Sequence, residues 1–143
     1  MPVLDNTEHY RPHRAIWPAM KKGLACKCPN CGEGKMFRAY LKVADTCPSC
    51  GEELHHHRAD DAPPYLVIVI VGHLLVGIFL HIEMIHSLHP MIYIWTMIPA
   101  TIVLSLLLLP VVKGAVVGLQ WAKYMHGFDP NGPDDEFDYD TRG

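Results

Sequence analysis

Polar and apolar positions divide this chain into three unlike stretches. Residues 1–64 mix the two classes closely. Residues 66–112 are almost wholly apolar, with Glu83 the one charged residue, and the last fifteen residues are polar and acidic. Two runs stand out in the apolar stretch. Leu66–Ile82 reads LVIVIVGHLLVGIFLHI, and Met91–Leu109 reads MIYIWTMIPATIVLSLLLL. Helices of these lengths reach roughly 25 Å and 28 Å, close to the thickness of a hydrocarbon core. Runs of this purity predict two transmembrane helices, 66–82 and 91–109, joined by a short loop, 83–90. Two buried helices of a soluble protein would need more covering chain than the remainder supplies. Gly72, Gly77 and Pro99 are breakers that membrane helices tolerate, and Tyr93 and Trp95 sit where interface aromatics do.

Pro110 marks a kink or a stop. Beyond it, residues 111–126 fit either a continuation of the second helix or a separate interfacial helix anchored by Trp121 and Tyr124. Gly114 and Gly118 form a small-xxx-small pair that allows close helix approach. Residues 129–143 hold six acids and little apolar content, which predicts a disordered tail. Residues 1–24 form a polar, amphipathic lead-in.

Charge orients the spans. Nine of the twelve Lys and Arg precede the first span, Lys113, Lys123 and Arg142 follow the second, and the loop has none. By the positive-inside rule both termini lie in the cytoplasm and the loop in the periplasm of a bacterial inner membrane. The net charge of -3 averages over these unlike segments. No basic stripe interleaved with aromatics appears, which argues against nucleic acid as a partner.

Cysteines carry the most specific chemistry. Cys28-Pro-Asn-Cys31-Gly32 and Cys47-Pro-Ser-Cys50-Gly51 are near copies separated by fifteen residues. Two C-x2-C pairs at this distance fit a tetrahedral metal site. With no secretory leader expected ahead of them, these thiols belong in a reducing compartment, where metal binding is commoner than a disulfide. Lys35–Val43 alternates enough to supply a strand, so residues 25–57 predict a zinc ribbon of short hairpins, followed by a linker, 58–65. Four thiolates close the coordination sphere, which makes the site structural and the module dependent on its metal for folding. Iron, as in a rubredoxin-like centre, suits the same ligands. A redox-active pair of C-x-x-C motifs is the competing reading, weakened by the lack of a βαβ pattern. Cys26 is spare, an idle thiol or an additional ligand.

The ten histidines fall in groups. His55, His56 and His57 precede Asp60 and Asp61, a combination that can hold a second metal or merely form a polar linker whose acids cap the next helix. His73 lies inside the first span, where a titratable group is costly and marks function by default. It shares a helical stripe with Gly77 and His81. Either Thr96, Thr101 or Ser105 of the second helix satisfies it, or a partner does. At the outer end, His81, Glu83, His86 and His89, with Met84 and Met91, form a candidate site for copper or for contact with a haem-bearing partner.

The run CPNCGEGKMFRAYLKVADTCPSCGEEL, then HHHRADDAPPY, a His-bearing span and KGAVVGLQWAKYMHGF together resemble the domain-of-unknown-function 983 family of bacterial membrane proteins over roughly residues 18–128. The resemblance brings with it no established catalytic activity. In alphaproteobacteria the family's genes often neighbour those of cytochrome c oxidase subunits and assembly factors, which implies an accessory or assembly role. The expected molecule is therefore a membrane α-helical hairpin with a small N-terminal β zinc ribbon. It has no catalytic residues, and it works in the lipid bilayer with oxidase subunits or assembly factors as partners. Metal or haem handling and membrane thiol oxidoreduction are the alternatives.

Overall fold

The computed structural model describes residues 12–58 and 61–129. In chain order they form α1 (Ile16–Leu24), β1 (Phe37–Ala39), β2 (Lys42–Val43), α2 (Ala62–Ile85) and α3 (Pro90–Ala122). The antiparallel pair β1–β2 and the bridges Lys27 to Lys35 and Thr46 to Glu53 make the ribbon. The predicted architecture is present: a helical hairpin of two membrane-span candidates with a small β module on its N-terminal side. Residues 1–11 and the acidic tail beyond Asp129 lie outside the described residues.

α2 and α3 are both long and apolar enough to cross a membrane. Their apolar side chains point outward: Ile68 is 67% exposed and Trp95 77%. A soluble core helix would bury such residues. Here they need a lipid environment to cover them. α2 starts at Ala62 with Pro63 and Pro64 in its first turn, where a missing N–H leaves no bond unmade. Asp61 stands at its N-cap without a side-chain capping bond, so this acid does not cap the helix. Asp60 lies outside the described residues.

At the other end of the hairpin, the Tyr93 hydroxyl donates to the Glu83 carboxylate at 2.5 Å. The Tyr93 ring meets Phe79 edge-on at 4.8 Å. These contacts staple α2 to α3 beside the loop.

α3 has 33 residues and is about 50 Å long. It passes straight through Pro110 to Ala122, which settles residues 111–122 as a continuation. Trp121 is only 7% exposed and does not anchor an interfacial helix. Its ring is covered by Arg14 and bonded to Glu52. Pro110 has no N–H to offer the Leu106 carbonyl one turn earlier. That carbonyl instead accepts a 2.6 Å hydrogen bond from the Tyr40 hydroxyl, at the tip of the β1–β2 hairpin. The ribbon thus repairs the break that would otherwise end the helix.

The small-residue pair on α3 is used by α1. A Cβ added at Gly23 would lie 2.1 Å from the Gly114 carbonyl oxygen, and one at Gly118 would lie 2.6 Å from that of Ala19. The two backbones touch because Gly23, Gly114 and Gly118 carry no side chain to hold them apart. Gly23→Ala should therefore destabilise the protein by about 1–3 kcal/mol, the usual cost of overpacking. Gly72→Ala, whose Cβ meets nothing within 4 Å, should not. Thermal unfolding in detergent distinguishes the two.

Candidate metal centre

Each cysteine pair sits on a tight turn closed by glycine. The Gly32 N–H donates to the Cys28 carbonyl at 2.9 Å and the Gly51 N–H to the Cys47 carbonyl at 3.0 Å. Both glycines have positive φ, 76° and 74°, which L side chains adopt only with strain. Return bonds run from Cys28 N to Gly34 O and from Cys47 N to Glu52 O, each 2.8 Å. Two matching turns therefore face each other across the module.

They bring four sulfurs to one point. The Sγ atoms of Cys28 and Cys50 are 3.8 Å apart, as are those of Cys31 and Cys47, and all four lie within 4.8 Å of one another. A tetrahedron with metal–sulfur bonds of about 2.3 Å has edges of about 3.8 Å. A disulfide needs about 2.05 Å. The four cysteines are positioned to hold a metal ion, and the spacing is consistent with zinc. Gly34 is required by this packing, since a Cβ there would sit 2.3 Å from Cys47 Sγ.

The thiols are electrically unequal. The N–H groups of Gly34 and Glu33, each 3.5 Å from Cys31 Sγ, stabilise its thiolate and pull it down to about 6. Burial pushes Cys28 up to about 12 and also raises Cys50. Cys31 is then the sulfur ready to take a metal first, and Cys28 must release its proton to water before it can bind. Cys26 stands apart from the four. Its thiol points to the Pro110 carbonyl at 3.8 Å, and burial raises it. It serves the seam with α3 rather than the metal cluster.

Polar contacts fix this module to the end of α3. Asn30 Nδ2 donates to Glu52 Oε2 at 3.0 Å, and Trp121 Nε1 donates to Glu52 Oε1 at 2.8 Å. Arg14 lies 3.6 Å from Glu52 and stacks on both Trp121 and Tyr124, at 4.1 Å and 4.3 Å. It also donates to the Trp121 carbonyl at 3.0 Å, near the helix C-terminus, where a cation is favoured. Gln120, 7% exposed, accepts from Arg58 N–H and donates to Arg58 O, both at 3.1 Å. This paired bond ties the linker to α3. Arg14, Gln120 and Glu52 are positioning residues that short-range sequence patterns did not single out, because their partners lie tens of residues away.

The histidines separate into distinct settings. His73 Nδ1 bonds its own helix at the Val69 carbonyl, 2.8 Å away, and not Thr96, Thr101 or Ser105 of α3. Thr96 and Thr101 donate to carbonyls of their own helix. At the outer end, Glu83 is engaged by Tyr93, and His89 Nδ1 accepts from Met91 N at 3.3 Å as the N-cap of α3. His86 is the C-cap of α2. Among the described residues, His81, Glu83, His86 and His89 do not converge into a ligand set. On the ribbon side, His57 Nδ1 is paired with the Leu54 carbonyl at 2.8 Å, whereas His55 and His56 converge with Glu53.

Two outcomes follow at the four-cysteine site. In metal-free protein at neutral pH, iodoacetamide should label Cys31 first and Cys28 slowly, and the Cys31 rate should fall as pH drops through about 6. Zinc should protect all four, with an apparent affinity that rises with pH because bound thiols must be deprotonated. Peptide mapping by mass spectrometry reads both effects.

The family profile described as "Protein of unknown function (DUF983)" matches residues 37–121. The matched stretch runs from β1 to Trp121 and takes in Cys47, Cys50 and both long helices. No curated protein and no solved structure matches the chain. Because the profile covers more than half of the 143 residues, the chain belongs to the domain-of-unknown-function 983 family.

Proposed function

We propose that this protein is a non-enzymatic accessory or assembly factor of a respiratory haem–copper (cytochrome c) oxidase. It sits in a bacterial inner membrane with both termini in the cytoplasm and zinc in its ribbon. The closed four-thiolate site supports a scaffold role, since it leaves no open coordination position for a substrate. The Lys and Arg asymmetry across the two spans supports the orientation. The oxidase as partner comes from the genomic setting of the family that the sequence resembles.

One observation carries the partner-binding part of this reading. α2 presents a groove of about 510 Å³ lined by Ile68, Gly72, His73, Val76, Gly77 and Leu80. Gly72 and Gly77 have open space where a Cβ would be, so no contact within this chain calls for a glycine at either position. Small residues beside a polar group are what a second membrane helix packs against. His73 spends Nδ1 on Val69, and a neighbouring helix would supply a partner for its other ring nitrogen. An intramembrane polar atom facing lipid carries a cost that such docking removes.

Gly77→Leu fills the groove from a position where an added Cβ meets nothing within 4 Å. Affinity purification from native membranes should recover oxidase subunits or assembly factors with the wild type. The Gly77→Leu variant should recover about tenfold less, equivalent to roughly 1.4 kcal/mol, at unchanged abundance and metal content. Wild-type protein that brings down no oxidase subunit or assembly factor contradicts the proposal.

A further inference from the structure

We propose that Glu53, His55 and His56 form a second metal site, separate from the four cysteines, for a divalent transition ion such as zinc. This site does not depend on the oxidase reading. Each of the three offers a ligand atom, and these atoms lie within 4.8 Å of one another. His56 Nε2 and Glu53 Oε2 are 3.0 Å apart. Two ligands bound at about 2.1 Å on a tetrahedral ion stand about 3.4 Å apart. A small opening of this pair therefore seats an ion between them. The His55 ring lies beside that of His56, with centroids 3.9 Å apart, and brings the third donor from the adjacent residue.

The segment that carries these ligands is held rigidly. Glu53 bridges to Thr46. The N–H groups of Leu54 and His55 both donate to the Asp45 carbonyl, at 2.8 Å and 3.2 Å. Leu54 between them is fully buried. His56 is oriented from its other side. Its Nδ1 faces Gly127, where an added Cβ would lie 2.8 Å away, and its ring meets Phe128 edge-on at 5.9 Å. With Nδ1 against the Gly127 turn, Nε2 is left as the coordinating atom. Ligands fixed by their own backbone and by a supporting shell lose little entropy on binding.

The chemistry of this set differs from that of the ribbon. Two imidazoles and a carboxylate suit zinc and its neighbours in the first transition row, whereas four thiolates prefer softer binding. Three protein ligands also leave a coordination position open. His56 and Glu53 border a cavity of about 350 Å³ that Arg14, Glu52 and Phe128 also line, and water or a small anion can occupy it. The second ion would thus be exchangeable, at the seam where the ribbon meets the chain beyond α3.

The test uses full-length protein without an affinity tag, purified in detergent with its ribbon loaded. It is dialysed against zinc chloride and assayed for zinc per chain by mass spectrometry. Wild type should bind two zinc ions. Glu53→Gln, which keeps the shape and the backbone bridge, should bind one, and so should His55→Ala, which removes an exposed ring. In both variants the four ribbon cysteines should stay protected from alkylation. Saturation of the wild type at one zinc overturns the proposal. Two zinc ions retained in both variants overturns it as well, by placing the second ion elsewhere.

Discussion

A 33-residue helix extends about 50 Å, and a hydrocarbon core takes up only about 30 Å of it. What remains of α3 leaves the bilayer as an apolar rod, and covering that rod is the constraint around which the other elements are arranged. The helix is exposed along its lipid half and buried at Gly114, Ala115, Val117, Gly118 and Gln120–Ala122. α1 covers one side by backbone contact at Gly23 and Ala19. The ribbon covers another, and its own residues Met36, Val43 and Leu54 join Val117, Trp121 and Phe128 in one core cluster.

Cys28 and Cys47 belong to that same cluster. A module this small cannot bury enough surface to fold by itself, and a metal at its centre is the usual remedy. Here the metal site and the end of the membrane helix stabilise each other. The ribbon needs α3 to complete its core, and α3 needs the ribbon to cover Trp121 and to satisfy the carbonyl stranded by Pro110. Arg14 ties the arrangement together, because one guanidinium reaches Glu52, Trp121 and Tyr124 at once. The four-cysteine set is therefore scaffold for a membrane helix as much as for itself.

The features legible in the sequence were those set by short-range geometry or bulk composition. Two residues between cysteines and a following glycine form a turn wherever they occur, and a run such as Leu66–Ile82 announces a span by its purity. Features that depended on distant partners were not legible. Pro110 read equally as a stop or a kink because its rescue comes from Tyr40, far back in the chain. Trp121 matches the pattern of a membrane anchor, but Glu52 and Arg14 surround it. Asp60 and Asp61, the nearest acids downstream, are the carboxylates that sequence proximity offers His55 and His56 as either metal partners or linker neighbours. The carboxylate that meets them is Glu53, brought close by the ribbon's own bridge to Thr46. For His73 the pattern leaves open a bond across the hairpin or a contact with a partner, and its Nδ1 takes neither, because a histidine four residues along a helix can reach the Val69 carbonyl of its own preceding turn.

The claim that metal binding and the emergent end of α3 share one cooperative unit is tested most directly by hydrogen exchange on full-length protein in detergent, zinc-loaded and after chelation. With zinc bound, amides of residues 114–122 should be strongly protected. Chelation should remove that protection while leaving the lipid-facing part of α2 unchanged. Equal protection of 114–122 before and after metal removal would show that α3 is covered without the metal, and would contradict the account.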